Sequence, residues 1–375
     1  MKIAQVAPLF ESVPPRLYGG TERVVSYITE ELINQGHEVT LFASGDSVTR
    51  AQLRPVCDSS LRLHKSPCDH LAYHILLVQK IFNEAHLYDI IHFHIDYIHY
   101  PLARLTRTPQ ITTLHGRQDL PDLQHIYREF FEMPVISISN SQRTPLPNAN
   151  WQATVYHGIP GHFFTLHKDH HGYLAFLGRT SPEKGLEEAI RIAVLADTEL
   201  HIAAKVDAKD EAYFDEVIKP LLKNTQIHFL GEINEQEKND FLGNARALLF
   251  PIQWPEPFGM VMIEAMACGT PVVAFRRGSV PEVIENGVTG FIVDDIREAV
   301  QAVQNIDAIS RPKCHSAFKK RFSSTRMVEE YVKIYQKLLG TTDRINETQW
   351  NGEVNYGRRY SDRRQMVYSG NILKG

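Results

Sequence analysis

Short apolar runs alternate with longer segments of helical period along the first half of the chain. Apolar residues recur at helical spacing in 18–36 and 70–85, which predicts two amphipathic helices. The runs around them are short enough to be buried strands. We predict these strands at residues 2–7, 38–44, 89–94, 110–115 and 133–139. Strands that alternate with helices are typical of a doubly wound parallel sheet.

The alternation stops at 157–172, a stretch rich in His and Gly that we interpret as a linker, and then begins again. A helix is predicted at 184–197, with further helices at 309–321 and 324–339. The predicted strands of this second half are 173–178, 199–204, 226–231, 246–251 and 270–275. The pattern therefore indicates an α/β protein with two Rossmann-like units in series.

This pattern divides the chain into four predicted parts. Residues 1–165 form a first Rossmann-like domain, and residues 166–322 form a second. A final helix occupies 323–340, and the polar stretch 341–375 is predicted to be a flexible tail. Ligands of such sheets bind at the carboxyl ends of the strands, so the search for a site narrows to residues that follow strands.

Composition excludes several classes of protein. The 375 residues are 43% hydrophobic, which favours two domains over one. Lys and Arg number 40 against 44 Asp and Glu, so no strong basic field indicates a nucleic-acid partner. The four cysteines form no CxxC pair and the first residues do not resemble a secretory signal, so we expect a cytoplasmic protein. We also expect no transmembrane segment, because no uncharged apolar stretch is long enough.

The segment EPFGMVMIEAMACGTPVVAF at 256–275 carries the most specific pattern. Free N–H groups near Gly259 and Met260 would form an anion site at a helix N-terminus. Glu264 would lie roughly 7–8 Å further along the helix, at about 1.5 Å per residue. A nucleoside diphosphate could then present its phosphates to the helix, its ribose to Glu264 and its substituent to Glu256. The alternative is that Glu256 caps the helix and Glu264 is an ordinary exposed residue.

A second motif, LGRTSPEKG at 177–185, joins a predicted strand to a predicted helix. It brings the cations of Arg179 and Lys184 to one strand end. A guanidinium binds phosphate through two donors and an ammonium binds it as a point charge. Two cations facing a helix N-terminus would stabilise a diphosphate leaving group. The alternative is a connecting turn with solvated charges.

Two candidates follow strands of the first domain. Gly19 and Gly20 would let the backbone approach a ligand, with Thr21 as a candidate helix cap. The pair is not part of a GxGxxG dinucleotide fingerprint. His115 ends a predicted strand, where it could hydrogen-bond a sugar hydroxyl or a developing charge. The alternatives are an ordinary turn and a His bonded to backbone groups.

Histidines also offer a candidate metal site. His92 and His94 lie on one strand face as HxH, with Asp96 nearby. We expect no dedicated metal cluster here, and we expect His94 and Asp96 to line the cleft instead. No carboxylate pair is placed to hold Mg²⁺ beside Arg179 and Lys184, so we predict that no metal is required.

The segments YGGTERVV, TTLHG, GRTSPEKG and EPFGMVMIEAMACGTPVVAFRRGSVPEVIENGVTGFIV together resemble glycosyltransferase family four over about residues 1–340. The resemblance implies a GT-B fold, in which two Rossmann-like domains face across a cleft and the last helix crosses back to the first domain. It also implies a retaining enzyme that transfers a sugar from a nucleotide-sugar donor.

The resemblance assigns roles to the candidate residues. It implies that Arg179 and Lys184 hold the donor diphosphate and that Glu264 binds the ribose. Glu256 would face the donor sugar, and His115 would contact that sugar. The remaining donor contacts would come from Gly19, Gly20, Phe258, Gly259 and Met260.

We therefore expect a hexosyltransferase that uses a UDP-sugar and needs neither a cofactor nor a metal. Its acceptor is an unknown small molecule, glycan or lipid-linked group. Two other classes remain open at this point. One is a UDP-sugar epimerase or hydrolase on the same scaffold, and the other is a nucleotide-sugar-binding protein without activity. Dependence of UDP release on an acceptor separates these classes.

Overall fold

Two parallel β-sheets, one from each half of the chain, form the framework of the protein. The computed structural model describes residues 1–16, 19–63 and 68–349, without the side chains of residues 63 and 341–349. The first sheet has the order β3-β2-β1-β4-β5-β6-β7 and the second has the order β10-β9-β8-β11-β12-β13. The strands of the first sheet are β1 Lys2–Val6, β2 Glu38–Ala43, β3 Gln52–Pro55, β4 Ile90–Phe93, β5 Gln110–Thr113, β6 Pro134–Ser137 and β7 Asn150–Thr154. Those of the second are β8 Leu174–Arg179, β9 Leu200–Lys205, β10 Ile227–Gly231, β11 Ala247–Phe250, β12 Val272–Phe275 and β13 Gly290–Val293. The predicted α/β class is confirmed.

Helices connect most successive strands, as is usual for parallel pairing, whereas a loop joins β2 to β3. In the first half they are α1 Gly20–Asn34, α2 His70–Glu84, α3 Tyr100–Ala103, α4 Leu123–Glu129 and α5 Asn140–Arg143. In the second half they are α6 Leu186–Leu195, α7 Glu211–Tyr213, α8 Lys219–Leu221, α9 Glu235–Gly243, α10 Met260–Ala267, α11 Val280–Val283, α12 Ile296–Gln304, α13 Arg311–Arg321 and α14 Ser324–Gln349. A π-helical turn at Phe214–Ile218 joins α7 to α8. Asn234 begins α9 with a capping box to Glu237, which fixes the start of that helix beside the cleft.

The predicted strands agree with the interior strands of each sheet and with the edge strand β10, whereas β3, β7 and β13 were not predicted. β3 and β7 are edge strands, and their residues are half-buried or exposed. They therefore lack the continuous apolar run that marks a buried strand. β13 is also an edge strand, and it follows a turn-rich segment that hides its short apolar run.

The chain passes between the two sheets at two neighbouring points. The N–H of Ile159 donates to the carbonyl of Phe322 at 2.9 Å, and the N–H of Ser324 donates to the carbonyl of Ile159 at 3.1 Å. A Cβ added to Gly158 would lie 2.3 Å from the carbonyl oxygen of Ser323, so the two segments are packed without room for a side chain. The two crossings therefore form one compact connection.

Helix α14 returns to the first domain, as predicted. Thr113 on β5 donates a hydrogen bond to the Tyr331 hydroxyl at 3.1 Å. The helix extends to Gln349, so residues 341–349, which were predicted to begin a flexible tail, are helical instead. The rest of that predicted tail, 350–375, lies outside the described residues, as do Leu17 and Tyr18 of the glycine-pair motif.

Candidate active site

A cleft with a volume of about 1000 Å³ lies between the carboxyl ends of the two sheets. In each sheet the strand order reverses direction at the middle, between β1 and β4 and between β8 and β11. Ligands of doubly wound sheets bind outside such switch points. The cleft is lined by Gly19 and His115 from the first domain and by Arg179 and Glu256 from the second. The fold therefore brings residues that are far apart in the sequence together around one cavity.

Lys184 and Glu256 form a close ion pair in the cleft. The Lys184 ammonium lies 2.6 Å from Glu256 Oε2, and the two side chains are only 18% and 13% exposed. The indole N–H of Trp254 donates to the same oxygen at 2.7 Å. The Trp254 ring also lies 5.5 Å from the Lys184 ammonium. Glu256 is thus held in place by two donors, and it does not cap helix α10, whose N-cap residue makes no side-chain hydrogen bond.

Arg179 ends β8 and lies among carboxylates. Its guanidinium contacts Glu183 at 2.9 Å and Asp207 at 3.5 Å. Lys205, at the end of the neighbouring strand β9, contacts Asp207 at 3.1 Å. The side chain of Arg179 is mostly buried and lines the cleft. This strand end therefore carries two cations with matched carboxylates, instead of the solvated charges of a plain turn.

Helix α10 begins at the wall of the cleft, after Gly259. Gly259 has φ of 79°, a left-handed conformation that favours glycine. A Cβ at this position would also lie 2.8 Å from Met262 Cε and 3.0 Å from Phe250 Cζ. Ser279 donates to the carbonyl of Phe258 at 2.7 Å and fixes the approach to the helix. Since no side chain caps this end, its first N–H groups can bind an anion.

Glu264 is buried, with 3% of its surface exposed, and so it is not an ordinary surface residue. Lys238 on α9 lies 3.2 Å from its carboxylate and 3.3 Å from that of Glu235. Glu235 in turn pairs with the guanidinium of Arg23 from α1. A chain of alternating charges thus runs from Glu264 in the second domain to Arg23 in the first.

The glycine pair lines the cleft from the first domain. Gly19 has φ of 150°, and a Cβ there would lie 2.7 Å from Pro15 Cβ. Around the position of a Cβ on Gly20 there is open space within 4 Å. The pair therefore presents bare backbone at the start of α1. Thr21 does not cap this helix, because the N-cap position is Gly19 and no side-chain cap is made.

Next to the glycine pair, Glu22 is a buried carboxyl that lines the cleft. Burial raises its pKa from 4.5 to about 7, and the nearby charge of Glu11 adds to the shift. Burial also raises the pKa of Glu11, which pairs with Arg62 at 2.8 Å. A carboxyl held partly protonated near neutral pH can both donate to and accept from a bound hydroxyl group.

We expect Glu22→Gln to stabilise the protein at pH 8 by on the order of 2 kcal/mol, with little change at pH 5. Because the folded-state pKa of Glu22 is raised, the folded protein binds the extra proton, and stability falls as pH rises from about 4.5 through 7. Gln removes that dependence. Urea unfolding at both pH values measures it, with the exposed Glu38→Gln as control. Equal effects of Glu22→Gln at the two pH values would contradict the shift.

His115 lies at the end of a hydrogen-bonded row of side chains. Gln5 Oε1 accepts from His94 Nε2 at 2.9 Å, and His94 Nδ1 lies 2.8 Å from His115 Nε2. Burial lowers the pKa of His94 well below its usual value and that of His115 to about 3, so both rings are neutral. His94 then accepts at Nδ1, His115 donates from Nε2, and His115 Nδ1 keeps its lone pair. His115 can therefore accept a hydrogen bond, but it cannot supply a positive charge.

Both histidines of the HxH pair, His92 and His94, form hydrogen bonds to side chains of the first domain. His92 Nε2 lies 2.7 Å from the Thr113 hydroxyl, while His94 bonds to Gln5 and His115. His94 and Asp96 line the cleft, and His92 does not. Asp119, which follows β5, forms an exposed pair with Arg117 at 2.6 Å.

Several residues of the cleft were not predicted. Lys238 and Trp254 lie outside the quoted motifs, and Arg23 lies in one without an assigned role. Lys238 and Arg23 act through contacts with residues from other helices. His157 stacks on His115 with ring centroids 5.2 Å apart, although it lies in the predicted linker. A basic residue one turn into a helix, such as Lys238, is in sequence no different from a surface lysine.

Two family models match the chain in succession. Residues 18–151 match glycosyltransferase family 4, and residues 162–322 match the glycosyl transferases of group 1. Together they cover most of both sheets, and strand β1 and helix α14 lie outside the matched residues. The chain belongs to glycosyltransferase family 4. Within the described residues, no helix of this glycosyltransferase is long and apolar enough to span a membrane.

Curated relatives match this glycosyltransferase over different lengths. An uncharacterized 42.6 kDa protein of the cps region of Klebsiella pneumoniae is 31% identical over 44% of this chain and 40% of its own length. The N-acetyl-alpha-D-glucosaminyl L-malate synthase of Bacillus anthracis is 27% identical over 86% of this chain and 94% of its own. The glycosyltransferase resemblance therefore extends over most of the chain.

Solved structures share the fold. AviGT4, a glycosyltransferase involved in avilamycin A biosynthesis, has a TM-score of 0.70 and 24% identity over 91% of this chain and 98% of its own. HepE of Anabaena, solved in complex with UDP and glucose, has a TM-score of 0.69 and 20% identity over 90% of this chain and all of its own. These likenesses confirm the predicted GT-B fold.

Proposed function

We propose that this glycosyltransferase is a retaining, metal-independent hexosyltransferase that uses a UDP-sugar. The observation that carries the proposal is the convergence of Arg179, Lys184, Glu264 and the start of α10 on one cleft wall. These groups match the diphosphate and the ribose of a nucleoside diphosphate. The choice of UDP is supported by the fold it shares with HepE, which was solved with UDP and glucose.

The donor would lie along helix α10. Its ribose hydroxyls would donate to the buried carboxylate of Glu264, and its phosphates would accept from the N–H groups after Gly259. A phosphate oxygen would then compete with Glu256 for Lys184 and with Asp207 for Arg179. The carboxylate partners keep both cations extended into the cleft before the donor binds. Binding exchanges one anionic partner for another, so the side chains need little reorganisation.

Transfer follows from the same arrangement. Lys184, Arg179 and the helix N-terminus neutralise the charge that develops on the departing UDP, as a metal ion does in other transferases. The acceptor hydroxyl attacks from the face on which UDP departs, and its proton passes to the leaving phosphate oxygen. The new bond then has the anomeric configuration of the donor. Glu256 and the lone pair of His115 Nδ1 would orient the sugar hydroxyls.

The acceptor would enter along the first domain. Phe10 and His74 form an aromatic pair with ring centroids 5.1 Å apart, and both line the cleft together with Leu71 and Tyr97. Rings and aliphatic side chains suit a sugar face or an apolar carrier, so small-molecule, glycan and lipid-linked acceptors all fit. We place the reaction in the cytoplasm, because all four cysteines are free and three of them are buried.

The test is UDP release from UDP-sugars with and without candidate acceptors, followed by proton NMR of the first-formed product. We expect acceptor-dependent release, a product with the donor's anomeric configuration, and full activity in excess EDTA. Acceptor-independent turnover would instead indicate an epimerase or hydrolase, and binding without turnover would indicate a nucleotide-sugar-binding protein. An inverted product would overturn retention. Activity lost in EDTA and restored by Mg²⁺ would overturn metal independence.

A further inference from the structure

Two histidines and one glutamate form a cluster at the amino end of the second sheet, opposite to the end that faces the cleft. His201 on β9 and His228 on β10 are register partners on adjacent parallel strands. Glu199 immediately precedes β9. The ligand atoms of the three side chains lie within 4.8 Å of one another, and no second such group was found among the described residues.

The spacing of these atoms is close to that of a metal site. Glu199 Oε2 lies 3.7 Å from His201 Nε2 and 3.9 Å from His228 Nε2. Bonds of about 2.0–2.1 Å in a tetrahedral zinc site place neighbouring ligand atoms roughly 3.3 Å apart. For these two pairs the difference is roughly half an ångström, and the two histidine ligand atoms lie within 4.8 Å of each other. The side chains of His228 and Glu199 are 42% and 62% exposed, so both can turn by that amount.

One ligand is already fixed in orientation. The His201 ring stacks on Tyr173, with centroids 3.9 Å apart and planes 9° apart. The Tyr173 hydroxyl donates to the carbonyl of Phe241 at 2.7 Å, which holds the ring that supports His201. Because His201 and His228 extend from paired strands, the distance between their backbones is fixed as well. Such support lowers the cost of ordering ligands around an ion.

We propose that Glu199, His201 and His228 bind a divalent transition-metal ion of the zinc type, with water in the fourth position. Two imidazoles and one carboxylate form a ligand set that Zn²⁺ accepts. The ion would join the edge strand β10 to β9. It lies away from the cleft, so it would stabilise the second domain and take no part in the transfer reaction.

Calorimetric titration of the full chain with Zn²⁺ at pH 7.5 tests the site. We expect one equivalent to bind in the micromolar range or tighter and to raise the unfolding temperature. His228→Gln and Glu199→Gln should each weaken binding by about 10²-fold and abolish the thermal shift, since each removes one of three ligands. Both residues are exposed, so neither change should prevent folding.

His170→Gln is the matched control, because His170 is another partly exposed histidine with a carboxylate partner, Asp307 at 3.4 Å. We expect it to leave Zn²⁺ binding unchanged. Absence of saturable Zn²⁺ binding in the wild-type chain would overturn the proposal. So would a loss of binding in His170→Gln together with unchanged binding in His228→Gln. UDP release in EDTA reports on the cleft separately, so failure of the metal site leaves the proposed transferase activity standing.

Discussion

Lys184→Ala should lower turnover of the UDP-sugar by about 10²–10³-fold, the scale of removing one group that stabilises a developing charge. Lys184 is the cation nearest to Glu256, at 2.6 Å, and both are largely buried. Its loss removes a phosphate partner and leaves a carboxylate that repels the leaving group. Arg179→Ala should have a comparable effect, because it removes the second cation of the same wall.

Steady-state UDP release measures this loss, with Lys219→Ala as the control. Lys219 is an exposed lysine of the same domain whose partner, Asp215, is also exposed. The double variant Lys184→Ala with Glu256→Gln should lose less than the product of the single losses, because the two residues contact each other. Wild-type rates in both Lys184→Ala and Arg179→Ala would exclude these cations from the reaction.

Glu264→Gln should weaken the binding of UDP itself by about 10²-fold, since a charge-assisted hydrogen bond to ribose contributes about 1.5–3 kcal/mol. The change also leaves Lys238 with Glu235 as its remaining carboxylate partner within 4 Å. Glu256→Gln should keep UDP affinity within a few-fold and mainly lower the rate of transfer, since only Glu256 would face the sugar.

Calorimetry with UDP and steady-state transfer assays on both variants separate these roles. Glu264→Asp is a useful third variant, because it keeps the charge but shortens the reach and should recover part of the affinity only if the carboxylate contacts the ribose. If UDP affinity instead follows Glu256, the two glutamates have exchanged roles.

The interior of each sheet was predictable because buried parallel strands are continuous apolar runs. ALLF and VVAF are of this kind and match β11 and β12. NWQAT in β7 is not a continuous apolar run. This strand lies at the edge of the sheet, and all five of its residues are half-buried. The pattern of apolar residues in a segment indicates how buried that segment is. An edge strand such as β7 is defined by its pairing with a neighbouring strand, which the pattern of the segment does not show.

The same limit determines which parts of the candidate site could be predicted from the sequence. Arg179, Lys184 and Glu256 were predicted to lie in one cleft because they follow strands, and strand ends of a parallel sheet meet at one edge. The ion pairs of Lys238 and Arg23 depend on how α1 packs against α9. Likewise, the acceptor role of His115 Nδ1 depends on Gln5, a residue 110 positions earlier in the chain.

The paired crossing of the chain at Ile159 and Ser323 has a mechanical consequence. Because both covalent links between the sheets pass through one hydrogen-bonded point, we expect them to act as a pivot that permits rotation and resists sliding. On rotation, the displacement of each part of the cleft wall would increase with its distance from the pivot. A small change in backbone torsion near Gly158 would open the far side of the cleft most, while residues beside the crossing keep their alignment.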